Sequence, residues 1–233
     1  GSVGMSPAEL LGALAAGPGA SGLEASVIWQ IRLPRAVSAA ILGGALACSG
    51  FLLQTFFNNP IASPYILGIS AGAKCALAAV MICVIGAGGA LASWQVVGAA
   101  FVDSLAATAL VLGLSTKIRS MSMLIVAGVM AGYVFNAITD FLVTFASDQN
   151  IVNLHNWALG SFSGATWSQV GVEAAVCAAG FAASMALAKP MAAFQLGEGY
   201  AKSVGVNVRL FRAALIAGAS LLAACVTAYA GPV

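Results

Sequence analysis

Charged residues are scarce in this sequence. Only 7% of its 233 residues are Asp, Glu, Lys or Arg, whereas 61% are hydrophobic, and the mean hydropathy is +1.00. Since roughly a quarter of the residues in a soluble domain are charged, the composition excludes an ordinary soluble protein. The formal net charge of +2 comes from scattered basic residues, which argues against nucleic acid as a partner. The sequence therefore predicts an all-α membrane protein, a polytopic bundle of transmembrane helices.

The residues from which catalytic and metal sites are built are also scarce. His155 is the single histidine, which leaves no two-histidine metal site and argues against a catalytic triad. The five cysteines lie in apolar runs without a CxxC pair and are expected to be packing residues. No G-x-x-x-x-G-K-[ST] motif is present, so ATP hydrolysis is not expected of this chain. We predict no catalytic residue, no metal site and no cofactor.

Six apolar runs are long enough to cross a bilayer. They lie at residues 36–57, 65–85, 95–115, 121–146, 170–188 and 213–230. The first run spans about 33 Å as a helix, and its small residues recur every four positions, which is typical of helices that pack closely in lipid. These rows are Ala36, Ala40, Gly44, Cys48 and Ala39, Gly43, Ala47. Residues 1–35 are predicted to form an external segment with one short helix capped by Ser6, and residues 36–233 the transmembrane domain.

The basic residues predict the orientation of these spans. The loops between spans three and four and between spans five and six carry Lys117, Arg119, Lys189, Lys202, Arg209 and Arg212. Residues 148–169 carry no Lys or Arg, so we expect them outside the cell, together with the N-terminal segment. An external N-terminus without a signal peptide, and an end just after the sixth span, lead us to expect a piece of a larger protein.

Several short motifs stand in order along the chain. They are RLPR at residues 32–35, GGALA at 43–47, NPIASP at 59–64, LGISAGA at 67–73, WALGSFSG at 157–164, and LGE followed by VGV within 196–206. Each motif is weak alone, but their order and spacing resemble the permease subunits of ABC importers for iron-siderophores, haem and cobalamin, the FecCD/BtuC-like family. The positions that carry the resemblance include Pro34, Gln54, Asn59, Pro60, Pro64, Gly68, Gly72, Trp157 and Gly160.

The resemblance implies a function and a set of partners. Such permeases have about ten helices, of which six are predicted here, and move an iron chelate or cobalamin across the bacterial cytoplasmic (inner) membrane. They work as dimers, so we expect a homodimer surrounded by membrane lipid, with a cytoplasmic ABC ATPase dimer and an external substrate-binding protein. The sequence does not distinguish among siderophore, haem and cobalamin as the substrate.

The resemblance also assigns roles to two groups of residues. In such permeases residues 189–212 form the loop that couples transport to the ATPase, with Leu196, Gly197, Glu198, Ala201, Lys202 and Gly205 as the corresponding positions. The pattern of this loop alone is more typical of a plain interfacial loop, and the resemblance reverses that interpretation. Arg32 and Arg35 correspond to arginines that receive acidic residues of the binding protein, and the alternative is that they bind outer-leaflet lipid phosphates. Because Pro34 follows it, Leu33 is predicted to lie outside the helix.

A few ionisable residues fall inside the predicted spans, where unpaired charges are costly. Lys74 and Asp103 lie at similar depths on neighbouring spans and are predicted to form an ion pair, with snorkelling of Lys74 as the alternative. Asp140 and Glu173 lie near the outer ends of their spans, where a substrate could reach them. These charges support a second interpretation, a secondary transporter that carries coupled ions on Lys74, Asp103 and Asp140. A purely structural membrane subunit is the third.

Overall fold

The computed structural model describes residues 4–20, 22–80, 82, 93–118 and 121–232, and every regular element within these ranges is helical. The first helices are α1 (Pro7–Ala16), α2 (Leu23–Val27), a π-helical turn (Ile28–Arg32), α3 (Leu33–Phe57), a 3-10 helix (Pro64–Leu67), α4 (Ile69–Val80) and α5 (Ser93–Lys117). They are followed by α6 (Met121–Val143), α7 (Asp148–Ala158), α8 (Trp167–Ala186), α9 (Ala188–Gln195), α10 (Glu198–Ser203) and α11 (Val208–Ala230). The predicted all-α fold is confirmed.

Helix α1 begins with the predicted cap. The hydroxyl of Ser6 accepts a hydrogen bond from the backbone N–H of Glu9 at 3.3 Å, and the carboxylate of Glu9 accepts one from the N–H of Ser6 at 2.7 Å. Two backbone donors that the helix cannot use are thereby satisfied. The same hydrogen bonds hold the pKa of Glu9 below its usual range.

The first membrane-length helix starts earlier than predicted. Helical structure runs without a break from Leu23 to Phe57, over 35 residues, and so crosses the boundary predicted at residue 36. Leu33 was expected outside the helix, but it has φ −65° and ψ −49°. The reason is the π-helical turn, in which the N–H of Leu33 donates to the carbonyl of Ile28. A wider turn leaves room before Pro34, where a regular helix would be crowded by the ring.

The buried face of α3 differs from the predicted rows of small residues. Most of its buried positions lie three or four residues apart, and they are Pro34, Ser38, Leu42, Ala45, Ser49, Leu52, Leu53, Phe56 and Phe57. This stripe packs against α11, where the hydroxyl of Ser49 donates to the carbonyl of Ala219 at 2.6 Å. Of the predicted rows, Gly44 approaches Phe181 of α8, whereas Ala36, Ala40, Gly43 and Ala47 are exposed in the isolated chain. The close helix packing therefore uses a row that mixes small and large side chains.

Within the part of the chain that the structure describes, four helices are long and apolar enough to cross a membrane. They are Leu23–Phe57, Ser122–Val143, Trp167–Ala186 and Val208–Ala230. Helix α11 is the central one, since most of its surface is buried against its neighbours. The predicted spans 65–85 and 95–115 contain α4 and much of α5, but residues 81 and 83–92 lie outside the described ranges. The total of six spans therefore stays a prediction.

One end of the bundle gathers both basic loops. Ile118 and Leu124, on either side of the loop between α5 and α6, pack in one apolar cluster with Met191 of α9 and Phe211 of α11. The two loops therefore lie at the same end, as the predicted orientation requires. We call it the basic end.

The opposite end is joined by hydrogen bonds from tryptophan side chains. The indole N–H of Trp167 donates to the carbonyl of Trp29 at 2.7 Å, and that of Trp29 donates to the carbonyl of Ala13 at 3.0 Å. These bonds attach α1 and α8 to the start of the long helix. We call it the tryptophan end.

Candidate functional site

Glu198 is the centre of a small ion-pair network at the basic end. It is the first residue of α10, and its two carboxylate oxygens bind different cations, Lys202 on α10 and Arg212 on α11, each at 2.8 Å. The hydrogen bond from Lys202, followed by the positive charges of Arg212 and Lys202, holds the pKa of Glu198 below its usual range. Because Arg212 lies on α11, this network attaches α10 directly to the transmembrane bundle.

A cluster of phenylalanines attaches α9 to the same bundle. The ring of Phe194 stacks on Phe56 of α3 with centroids 6.1 Å apart and contacts Phe211 of α11 at 5.3 Å. The guanidinium of Arg212 lies 5.8 Å from the centroid of Phe194, within the range of a cation–π interaction. Movement of α9 or α10 would therefore be transmitted to α3 and α11.

The outward side of residues 189–212 is partly apolar. Leu196, Tyr200 and Val204 are at least half exposed, although they are large hydrophobic residues. Gly197 and Gly205 form the turns on either side of α10. Their φ angles of 116° and 87° are ones that residues with a side chain rarely adopt. Together these features form a face with exposed apolar side chains, which we call the α10 face (Leu196, Tyr200 and Val204).

Ala201 does not belong to the exposed side of this segment. It is fully buried, with 0% of its surface exposed. Its side chain packs inside the segment, and its role in coupling stays a prediction. Its place on the surface is taken by its neighbour Tyr200, which sequence reasoning did not single out.

Arg32 and Arg35 lie at the tryptophan end. Arg35 is exposed, and its guanidinium donates to the carbonyl of Ser163 at 2.7 Å. Arg32 is half-buried in the π-helical turn. Both arginines are held by the start of one long helix, at the end of the bundle opposite Glu198. Arg35 additionally fixes the loop that precedes α8.

The backbone of the motif residues near Trp157 packs against the end of α11. A Cβ built on Gly231 would lie 2.6 Å from the carbonyl oxygen of Trp157 and 3.0 Å from Cα of Gly160. The N–H of Ser161 donates to the carbonyl of Ala230 at 2.7 Å. Only glycine permits this approach at position 231, and Gly160 has a left-handed φ of 71° that favours glycine.

The motif residues between α3 and α4 form a compact turn at the basic end. Asn58 ends α3 with a left-handed φ of 48°, and the side chain of Asn59 accepts from the N–H of Ile61 at 3.0 Å. Pro64 then opens the 3-10 helix, which ends at Gly68 with φ 76°. Gly68 itself lies against α6, since a Cβ on it would be 3.3 Å from the backbone nitrogen of Gly132. The predicted turn is present, with Asn59, Pro60 and Pro64 in it and Gly68 and Gly72 directly after it.

The ionisable residues inside the bundle have different surroundings. Glu173 on α8 is 1% exposed and hydrogen-bonded to Ser38 of α3, while its Oε2 has no hydrogen-bond partner among the described residues. Asp140 is exposed on α6. Lys74 is half-buried and borders a cavity between α4 and α6. The side chain of Asp103 lies outside the described part of the chain, so its pairing with Lys74 stays a prediction.

Comparison with known proteins decides the family. Residues 1–233 match the FecCD transport family along the whole chain. The chain belongs to the FecCD transport family. The resemblance carried by the motifs is thereby confirmed, and this assignment accounts for the order in which they occur.

Curated members and a solved structure agree with this assignment. The chain is 33% identical over 212 residues to the vitamin B12 import system permease protein BtuC of Yersinia enterocolitica and 31% identical over 206 residues to that of Escherichia coli. The alignments cover 88% of this chain but 60% and 62% of those proteins, so the chain spans about three fifths of their length. A metal-chelate type ABC transporter in an inward-facing conformation superimposes with a TM-score of 0.81 and 25% identity, over 97% of this chain and 73% of that one.

Within this FecCD chain, the predicted functional residues separate into two groups. Leu196, Gly197, Glu198, Lys202 and Gly205 come together at the basic end, and Arg32 and Arg35 lie at the tryptophan end. Phe194 and Arg212 were missed as parts of the first group. Only the fold shows that Arg212 reaches Glu198 across the turn between α10 and α11.

Proposed function

We propose that this FecCD chain is the permease of an ATP-driven importer that moves an iron chelate or cobalamin across the bacterial cytoplasmic membrane. A second copy, a cytoplasmic ABC ATPase dimer and an external substrate-binding protein complete the assembly. Family membership over the whole chain supports the transport function, and the names of the relatives mention vitamin B12 and a metal chelate.

The observation that carries the coupling role is the network around Glu198. An ATPase that moves the α10 face would pull on Arg212 through Glu198 and on Phe56 through Phe194. Both contacts lead into helices long enough to cross the membrane, so the segment can transmit a mechanical step. The exposed Leu196, Tyr200 and Val204 supply the apolar surface from which interface cores are usually built.

The position of the two arginines supports binding-protein docking at the opposite end. Arg35 is exposed, and its hydrogen bond to the carbonyl of Ser163 holds its guanidinium in one orientation. Less conformational entropy of this side chain is therefore lost when a partner binds it. A homodimer would present Arg32 and Arg35 twice, which matches a binding protein with an acidic patch on each of two lobes. Guanidinium groups suit this role because they bind carboxylates through two parallel hydrogen bonds.

The energy source of transport tests the proposal. Uptake of labelled cyanocobalamin and of a ferric siderophore is measured in cells that carry the permease with its ATPase and binding protein, before and after treatment with vanadate or a protonophore. We expect vanadate to abolish uptake while a brief protonophore treatment leaves it in place. Uptake that persists with vanadate and stops with the protonophore would identify a secondary transporter instead.

A further inference from the structure

A cavity of about 420 Å³ lies between α4 and α6, away from the α10 face and the two arginines. Its polar lining includes Ser70 and Lys74 from α4, and Tyr133 and Asn136 from α6. Gly128 and Gly132 line it on the α6 side, where the absence of side chains leaves the space open. The cavity therefore combines a charged group, an amide and hydroxyls within the bundle.

The sequence builds this cavity through one close helix contact. Gly68 touches the backbone of α6 at Gly132, which brings the start of α4 against the middle of α6. Lys74 follows Gly68 by six residues and Asn136 follows Gly132 by four. At about 1.5 Å per residue, both side chains lie one to two helical turns from the glycine contact, in the same direction. They therefore border the cavity at similar depths.

Lys74 supplies positive charge to this space. It is half-buried, and among the residues that the structure describes no carboxylate lies within ion-pair distance of it. Asp140, one turn beyond Asn136 on α6, does not line the cavity. An ammonium inside a membrane bundle is costly unless it meets water or an anion, and such residues commonly mark transport paths. A lysine offers only donors, and Asn136 adds two more from its amide.

We propose that Lys74 and Asn136 form a subsite for an anionic oxygen group, a carboxylate or phosphate, of the transported compound. The inference rests on the proposed transport function and narrows its substrate class to compounds that carry such a group. Lys74 neutralises the charge, and the amide of Asn136 fixes the orientation of the oxygen atoms. A compound without an anionic group would pass the subsite without this interaction.

Binding is tested apart from transport. The purified chain in lipid nanodiscs is treated with an amine-acylating reagent, and the modification of Lys74 is quantified by mass spectrometry with ferric citrate, inorganic phosphate or an uncharged ferric trihydroxamate present. We expect ferric citrate or phosphate to protect Lys74 and the trihydroxamate to leave it reactive. Protection by citrate alone would identify a carboxylate subsite, and protection by phosphate alone a phosphate subsite. Equal modification under all conditions would overturn the proposal.

Affinity measurements with variants complete the test. For the anion that protects Lys74, we expect Lys74→Met to weaken binding about tenfold or more, the loss of one hydrogen bond to a charged group. Lys74→Arg should retain most of the affinity, and Lys117→Met at the end of α5 should match the wild type. Equal loss in Lys74→Met and Lys117→Met would overturn the proposal. The proposal would also be overturned if Lys74→Met lowered the melting temperature and the double variant Lys74→Met/Asp103→Asn returned it to the wild-type value. That result would show that Asp103 already neutralises Lys74.

The outcome is separable from that of the proposed function. If the chain binds the anion through Lys74 but uptake does not depend on ATP, the subsite stands and the energy source is wrong. If uptake depends on ATP but Lys74 is never protected, the importer stands and the subsite is wrong.

Discussion

Leu222 of α11 packs directly onto Gly180 of α8. A Cβ built on Gly180 would lie 2.9 Å from Cγ of Leu222 and closer still to one of its methyl groups. Leu222 is itself fully buried. The missing side chain at position 180 therefore determines how closely α8 approaches the central helix.

Replacing Gly180 by alanine should destabilise the bundle. The added methyl overlaps Leu222, and overpacking of this kind typically costs about 1–3 kcal/mol. We expect a lower melting temperature in detergent for Gly180→Ala. Gly171→Ala on the same helix is the matched control, since a Cβ there meets nothing within 4 Å. Equal melting temperatures for the two single variants would show that α8 and α11 are not packed in this way.

Glu173 should tolerate loss of its charge. It is buried beside Ser38, and one carboxylate oxygen has no hydrogen-bond partner among the described residues. Glutamine can keep a bond to Ser38 without a buried ionisable group, so Glu173→Gln should melt at the wild-type temperature or above it. Glu173→Lys should melt well below it, and the exposed Glu24→Gln should change nothing. A fall in melting temperature for Glu173→Gln as large as that for Glu173→Lys would contradict this reading of the site.

The attachment of α10 should weaken in acid. The pKa of Glu198 is lowered by Lys202 and Arg212, so its contribution is complete above the ordinary value near 4.5 and is lost as the pH falls through the lower, folded value. The effect is small, about 0.2–1 kcal/mol for such exposed pairs. Hydrogen exchange of Glu198–Ser203, corrected for intrinsic rates, should show protection at pH 6 that declines below pH 4.5. Glu198→Gln should show no such decline, and a decline of equal size in that variant would assign it to another group.

The arginines should determine how fast a binding protein associates. Charges at the edge of an interface act mainly on the association rate, and salt screens them. We expect Arg32→Glu/Arg35→Glu to slow association about tenfold at low salt and to remove most of its salt dependence. Arg35→Gln removes the charge, but glutamine can still donate to the carbonyl of Ser163. The association rate of this variant therefore reports the effect of the charge apart from that of the hydrogen bond. Wild-type rates in the double variant would instead favour lipid phosphates as the partners of these arginines.

The sequence allowed the fold class and the family to be predicted, because both depend on long-range composition and on motif order. The cap at Ser6 and the turn after Phe57 were also predictable, since their hydrogen bonds join residues within a few positions. The helical state of Leu33 was not, because a π-helical turn that precedes a proline leaves no signal in the residue pattern.

The site was predictable only in outline. Glu198 and Lys202 are four residues apart, so their pairing could be read from helix periodicity. The bond from Arg212 to Glu198 and the stack of Phe194 on Phe56 join distant parts of the chain. Such contacts depend on the tertiary packing of three helices, and the burial of Ala201 depends on it as well.

The coupling of ATP hydrolysis to uptake through Glu198 is the central claim, and one measurement tests it most directly. Uptake and ATP hydrolysis are measured together for the wild type and for Glu198→Ala/Lys202→Ala, with membrane insertion and ATPase association followed in the same preparations. Glu24→Ala, at the tryptophan end, is the control. The account predicts normal insertion with uptake reduced about tenfold, through either weaker ATPase association or hydrolysis without transport. Uptake at the wild-type level in the double variant would contradict it.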